Sequence, residues 1–217
     1  MGNHYWGMTR RRSRRDVLRS GAVVTLGGLA GCVGAPTRDS LLSEGFESEL
    51  DSWDSHAHIG PEEPLSAFEW EIERSRTQAA TGDWSLELFT EGDHDDGTAW
   101  VSTELDPGEA TSFSVSLQAW SESESFNTLR NLVAYLGPTE PTAEGDFPDP
   151  GANSTAVPEA PFGGLREPLH LAEGWREYSF EWEPESTPES LFLAVGVSVV
   201  WEADATHYLD DIVVTAE

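Results

Sequence analysis

The sequence predicts an all-β chain that folds as one antiparallel β-sandwich. Three observations carry that expectation: nine segments alternate apolar and polar residues at period two, clusters of Gly, Pro, Asp and Ser separate them, and no long stretch repeats apolar residues at helical spacing. Alternation sends successive side chains to opposite faces of a strand, so one face is buried and the other stays wet. Two sheets that cover each other's apolar faces make a sandwich.

The expected elements run as follows. After a tether over residues 32–40, the domain at 41–217 opens with a strand at Leu42 to Glu47. Ala67 to Glu73 places Phe68, Trp70 and Ile72 on one face, and strands at Trp84 to Thr90 and Ala99 to Leu105 follow. In Thr111 to Ser121 the residues Phe113, Val115, Leu117 and Ala119 share a face, with serines opposite. Leu129 to Leu136, Trp175 to Trp182, Leu191 to Trp201 and Tyr208 to Thr215 complete the set. Between Gly137 and Pro168 seven prolines break the pattern, which rules out a central strand and marks residues 137–168 as a long loop. Asn153-Ser154-Thr155 in that loop is an acceptor triplet for N-glycosylation.

Residues 1–31 differ in kind. Arg14 and Arg15 stand in Ser13-Arg14-Arg15-Asp16-Val17-Leu18-Arg19, a weakly apolar run extends from Gly21 to Ala30, and Leu29-Ala30-Gly31-Cys32 follows. The apolar run is too short for a membrane helix, which needs roughly 20 residues. This layout resembles the twin-arginine signals of exported lipoproteins. The resemblance implies removal of residues 1–31, passage through the twin-arginine translocase, and attachment to the membrane through a lipidated Cys32. The expected location is the extracellular face of the cytoplasmic membrane. As the only cysteine, Cys32 leaves no disulfide within the chain.

From Cys32 onward the chain carries 39 acidic and 6 basic residues, a formal charge of −33, and it has no lysine. Such a surface repels nucleic acid and anionic lipid, so neither is an expected partner. Eight tryptophans after Cys32 supply more apolar surface than a disordered acidic tail carries. The composition resembles that of halophilic archaeal proteins. At molar salt the Debye length is about 3 Å, and acidic self-repulsion is screened.

Three fragments then fall in a recognisable order: Gly45-Phe46-Glu47 with Trp53 nearby, Thr81-Gly82-Asp83-Trp84-Ser85-Leu86, and Tyr208-Leu209-Asp210-Asp211-Ile212-Val213-Val214 near the C-terminus. Together they resemble the galactose-binding-like jelly rolls, a superfamily that includes many carbohydrate-binding modules. The resemblance implies a jelly-roll sandwich whose first and last strands lie together. It further implies a structural calcium, with Glu47 and Asp210 as side-chain ligands and the turn from Gly82 to Ser85 supplying carbonyl oxygens. The residues add their own argument, since Asp210 has the parity of Ile212 and Val214, which turns inward a carboxylate that needs a partner.

Signals for catalysis are incomplete. Glu49-Leu50-Asp51 resembles the start of the acidic motif of jelly-roll glycoside hydrolases, but Ser52-Trp53 follow where another carboxylate is needed. His56-Ala57-His58 and Asp93-His94-Asp95-Asp96 are read as solvated turns. EF-hand spacing from Asp93 to Glu104 fails because Thr98 stands where the loop requires glycine. Trp120 has the opposite parity to the inward set from Phe113 to Ala119, and Trp100 is opposed to Val101 in the same way. Both are therefore candidate sugar-stacking residues. The expected function is non-catalytic binding of a glycan or cell-surface polymer. A polysaccharide-active hydrolase or lyase, and a structural or adhesive envelope protein, are the alternatives.

Overall fold

A computed structural model describes residues 39–61, 63–94, 97–121, 130–169, 174–199 and 204–217. Arg14, Arg15, Cys32 and the leader lie outside the described residues, as does most of the tether. Eleven strands are described: β1 Asp39–Glu44, β2 Asp54–His58, β3 Trp70–Ser75, β4 Ser85–Thr90, β5 Gly97–Leu105, β6 Phe113–Ser121, β7 Asn131–Gly137, β8 Gly163–Pro168, β9 Gly174–Trp182, β10 Leu191–Val199 and β11 Ala205–Ala216. They form two antiparallel sheets, one in the order β3-β4-β11-β6-β9 with β1 added beside β11, the other in the order β2-β5-β10-β7-β8.

The expected sandwich is present, with two strands that periodicity does not mark. β2 reads Asp-Ser-His-Ala-His, with a single apolar residue and so no alternation to mark it, and pairs only with β5. β8 occupies the last six residues of the proline-rich stretch, which the sequence assigns to loop. It too is an edge strand, and its proline sits at the final position, where a missing N–H does least harm.

The alternating positions build the core between the sheets. Val115 and Leu117 of β6, Phe180 of β9 and Val214 of β11 join Leu132 of β7 and Val195 of β10 in one buried cluster. A smaller cluster lies on the outer face of the five-stranded sheet, where Trp100, Val133 and Tyr135 are covered by Phe147 from the segment between β7 and β8. That segment, residues 138–162, is a strap packed across the sheet rather than a loose loop.

β11 organises the six-stranded sheet. Its twelve residues pair with β6 along one side, while on the other side β4 takes Ala205 to Leu209 and β1 takes Ile212 to Ala216. The β6 register slips between Asp210 and Val213, and Asp211 has a left-handed φ of 49°. The bulge falls where β4 gives way to β1, so the strand changes partner and parity together.

His207, three residues before Asp210 on β11, is fully buried between Leu88 and Ser121 in the register. Desolvation, and then the Arg130 guanidinium, push its imidazole from 6.5 down to about 3. Below pH 6.5 the unfolded chain therefore takes up a proton that the folded chain refuses until about pH 3, and stability falls as pH falls through that window. Between pH 7 and 5, at fixed ionic strength, the wild-type chain should lose about 2 kcal/mol more than His207→Leu. Parallel stability curves from thermal or urea unfolding would contradict a neutral buried imidazole.

Candidate functional site

The four residues expected to hold a metal converge on one turn. β1 ends at Glu44, whose carboxylate accepts from the Phe46 N–H at 2.6 Å, and Phe46 itself has a left-handed φ of 56°. This reversal delivers Glu47 to the segment between β3 and β4, where its Oε1 accepts from the N–H groups of Asp83 at 2.7 Å and Trp84 at 3.0 Å. On the other side of the same turn, Oδ2 of Asp210 accepts from Ala80 N at 2.8 Å and Thr81 N at 3.1 Å, while Oδ1 accepts from Asp211 N at 2.7 Å. Thr81 donates its hydroxyl to Asp211 at 2.6 Å, and Ser85 donates its own to the Gln78 carbonyl at 2.6 Å. Gly82, at φ 64°, leaves room for Glu47: a Cβ there would stand 2.1 Å from Oε1.

Two parts of the sequence reading need correction. The parity argument for Asp210 fails at the bulge. Leu209 pairs with Ala119 on the core face, Asp210 pairs with Gln118 on the opposite face, and the extra residue returns Ile212 to the core. Asp210 is nonetheless fully buried, because residues 80–81 lie over it. Burial raises its carboxyl above the ordinary range against the pull of the amides of Thr81, Asp211 and Ala80, and the Asp211 carboxylate raises it further. The second correction concerns the turn, whose described contacts to Glu47 and Asp210 are made by N–H donors; the Ser85 hydroxyl serves the turn itself.

Calcium remains compatible with the donor chemistry. A carboxylate offers about four lone-pair sites, and the amides take three on Asp210 and two on Glu47. The Asp211 carboxylate and the Thr81 hydroxyl add oxygen donors of the hard type calcium prefers. Among the described residues no group of three or more His, Cys, Asp or Glu side chains is placed to hold a metal by itself. Backbone carbonyls would have to complete the shell.

The two candidate tryptophans occupy different faces. Trp100 is only 1% exposed: His56 stacks on it at 5.3 Å and Phe147 of the strap meets it edge-on at 5.4 Å. Its parity points outward as expected, but the strap covers that face, so the expectation of an exposed sugar platform at Trp100 is overturned. Trp120 is half-buried on the outer face of the six-stranded sheet. It lies edge-on to Trp175 of β9 at 5.9 Å, and the register sets Trp175, Trp120 and Tyr208 in one row across three strands. The next row along the strands is polar, with Glu177 opposite Gln118. Sequence reasoning misses Trp175 because an arginine and a glutamate follow it on its own strand, and only the register shows that it faces Trp120.

The remaining polar candidates are engaged in the fold. His56 and His58 belong to β2 rather than a solvated turn. His56 Nε2 lies 2.9 Å from the Ser102 hydroxyl, which donates to Glu140 at 2.6 Å, and Glu140 is 3.4 Å from that same Nε2. A nucleophilic triad needs its acid on Nδ1, so this grouping ties the strap to the sheet and does not make a catalytic set. Glu144 ties down the strap's next turn by pairing with Arg166 and accepting from Ser198 at 3.0 Å. His94 pairs with Glu91, and Glu49 pairs with Arg74 at 3.1 Å; Asp95 and Asp96 lie outside the described residues. Asn153 is also consumed: its amide nitrogen donates to Glu167 at 2.8 Å and to the Ser179 carbonyl at 3.0 Å. A glycan on that nitrogen would replace one of its two hydrogens and break at least one of these bonds, which counts against the acceptor reading.

Comparison with known proteins yields structures alone: no protein-family model and no curated protein matches the chain. A structure of carbohydrate-binding modules from the β-sandwich superfamily, described as having promiscuous specificity, aligns at TM-score 0.51 and 15% identity over 78% of this chain and 59% of that one. The CBM22-1 xylan-binding domain of Paenibacillus barcinonensis Xyn10C aligns at 0.48 and 15% over 84% and 97%. TmCBM61, solved with β-1,4-galactotriose, aligns at 0.47 and 14% over 82% and 99%. At 15% identity the first of these likenesses, at TM-score 0.51, shows the fold alone, a β-sandwich.

The turn geometry makes a direct prediction. Gly82→Ala forces a left-handed residue and displaces Glu47, so urea unfolding should show a loss of about 1–3 kcal/mol. Gly145→Ala, where a Cβ meets nothing within 4 Å, is the control and should cost far less. Equal losses would mean that Glu47 is not held by this turn.

Proposed function

We propose that this chain is a non-catalytic glycan-binding module whose platform is the Trp120–Trp175 row. The observation that carries the proposal is the pairing of two half-buried indoles with a polar row beside them on one outer sheet face. Indole faces stack on the C–H faces of sugar rings, and Gln118 and Glu177 offer hydrogen-bond partners for hydroxyls. The sandwich fold supports the reading. So does position: β1 begins opposite Ala216, which pairs with Phe113 at the start of β6, whereas Trp120 lies near the other end of β6. A chain tethered ahead of β1 would therefore carry its platform toward the end of the sandwich opposite the tether's entry. Calcium at Glu47, Asp210 and the Gly82 to Ser85 turn belongs to the same proposal as a structural clamp.

Pull-down on neutral polysaccharides, xylan and β-1,4-galactan among them, tests the platform in molar salt. The wild-type chain should be retained, and Trp120→Ala or Trp175→Ala should weaken retention at least about tenfold, the effect of losing about 1.5 kcal/mol or more of aromatic burial. No retention of wild type, or undiminished retention of both variants, would overturn it. For the clamp, chelator at controlled ionic strength should lower the wild-type Tm and barely move Asp210→Asn. An unmoved wild-type midpoint would remove calcium from the account.

A further inference from the structure

Cations are scarce in this chain: it has 12 arginines, no lysine and 40 acidic residues. Two of those arginines nevertheless meet on one indole. The guanidinium carbons of Arg74 and Arg76 lie 4.1 Å and 4.3 Å from the ring centre of Trp84. Arg74 is held in place, with Nε donating to the Phe46 carbonyl at 2.7 Å and Nη1 to Glu49 at 3.1 Å. Arg76 differs. It is exposed, and among the described residues it makes no ion pair or hydrogen bond. A guanidinium without an acid partner is unexpected in a chain with this surplus of carboxylates, since pairing it with a neighbouring acid would be easy.

The local backbone fixes the arrangement. Trp84 is set by its N–H to Glu47, and β3 carries Arg74 at its penultimate position with Arg76 just beyond its end. Contact with the ring orients Arg76 and leaves the edge of its planar fork available for a bidentate oxyanion. Two guanidinium groups already lie against Trp84, so a nucleobase would have to compete with them to stack there.

We infer that Arg76, held against Trp84, is a binding site for an anionic sugar group, the carboxylate of a uronic acid or a sulfate ester on a glycan. The inference rests on the glycan-binding reading and adds to it a second contact, for the acidic groups of a glycan. It places a contact on the turn side of the six-stranded sheet, separate from the Trp120–Trp175 row.

The test is affinity electrophoresis of the full chain in molar salt, where the Debye length is about 3 Å and the protein's overall charge is screened. The probes are polygalacturonate, dextran sulfate, neutral xylan and a single-stranded DNA. Wild type should bind polygalacturonate or dextran sulfate, and whichever of the two is bound names the oxyanion. Arg76→Gln should weaken that binding at least about tenfold, as expected for loss of a charged hydrogen bond. Arg76→Lys, a point charge without the fork, should fall between, and xylan retention and Tm should stay unchanged in both. Undiminished acidic-glycan binding by Arg76→Gln overturns the inference. So does DNA binding with the same dependence on Arg76, which would mark a general polyanion site. If wild type retains xylan but neither acidic polymer, this inference fails while the glycan reading stands; if it retains none of the polysaccharides, both fail.

Discussion

The buried carboxylate of Asp210 is the constraint around which this sandwich is arranged. A carboxylate removed from water needs compensation, and here three backbone N–H groups supply it, two of them from residues 80–81. Each charge-assisted bond of this kind is worth about 1.5–3 kcal/mol. Asp210 is the last residue of β11 before the bulge, and the bulge falls where β4 gives way to β1 along the same side of β11. Glu47 repeats the device from the other direction by binding the amides of Asp83 and Trp84. First strand, last strand and the β3–β4 turn are thereby joined through two carboxylates and a set of amides.

Much of this is legible in the sequence, and the failures have physical causes. Strands with one buried and one wet face announce themselves by alternation, as in β6, where the buried positions run from Phe113 to Ala119 without a break. β2 and β8 do not, since Asp-Ser-His-Ala-His and Gly-Gly-Leu-Arg-Glu-Pro hold few apolar residues to mark a buried face. Parity finds Asp210 for a partly wrong reason, because it counts across a bulge that no local pattern reveals. Trp100 and Trp120 look alike because parity describes the strand and not what covers it. The strap that hides Trp100 is held by Glu140 and Glu144, from a stretch whose prolines suggest only loop.

The placement of the few cations is the second theme. Arg166 joins the strap to β8 and β10 through Glu144 and Ser198, Arg74 bridges Phe46 and Glu49, and Arg176 lies 5.3 Å from the Tyr178 ring. These positive groups close loops onto strands or rest on aromatic rings. Arg76 rests on its ring with its fork still open to solvent, which is why its chemistry is read as facing outward.

Amide hydrogen exchange at Ala80, Thr81, Asp83 and Trp84 tests the central arrangement most directly, because these N–H groups lie in an irregular turn that would otherwise exchange rapidly. If they bind the two carboxylates, they will exchange as slowly as the core amides of β11, opening only with the sheet. Exchange at the rate of an exposed turn, with β11 still protected, would contradict the account and leave Asp210 buried without the partners assigned to it.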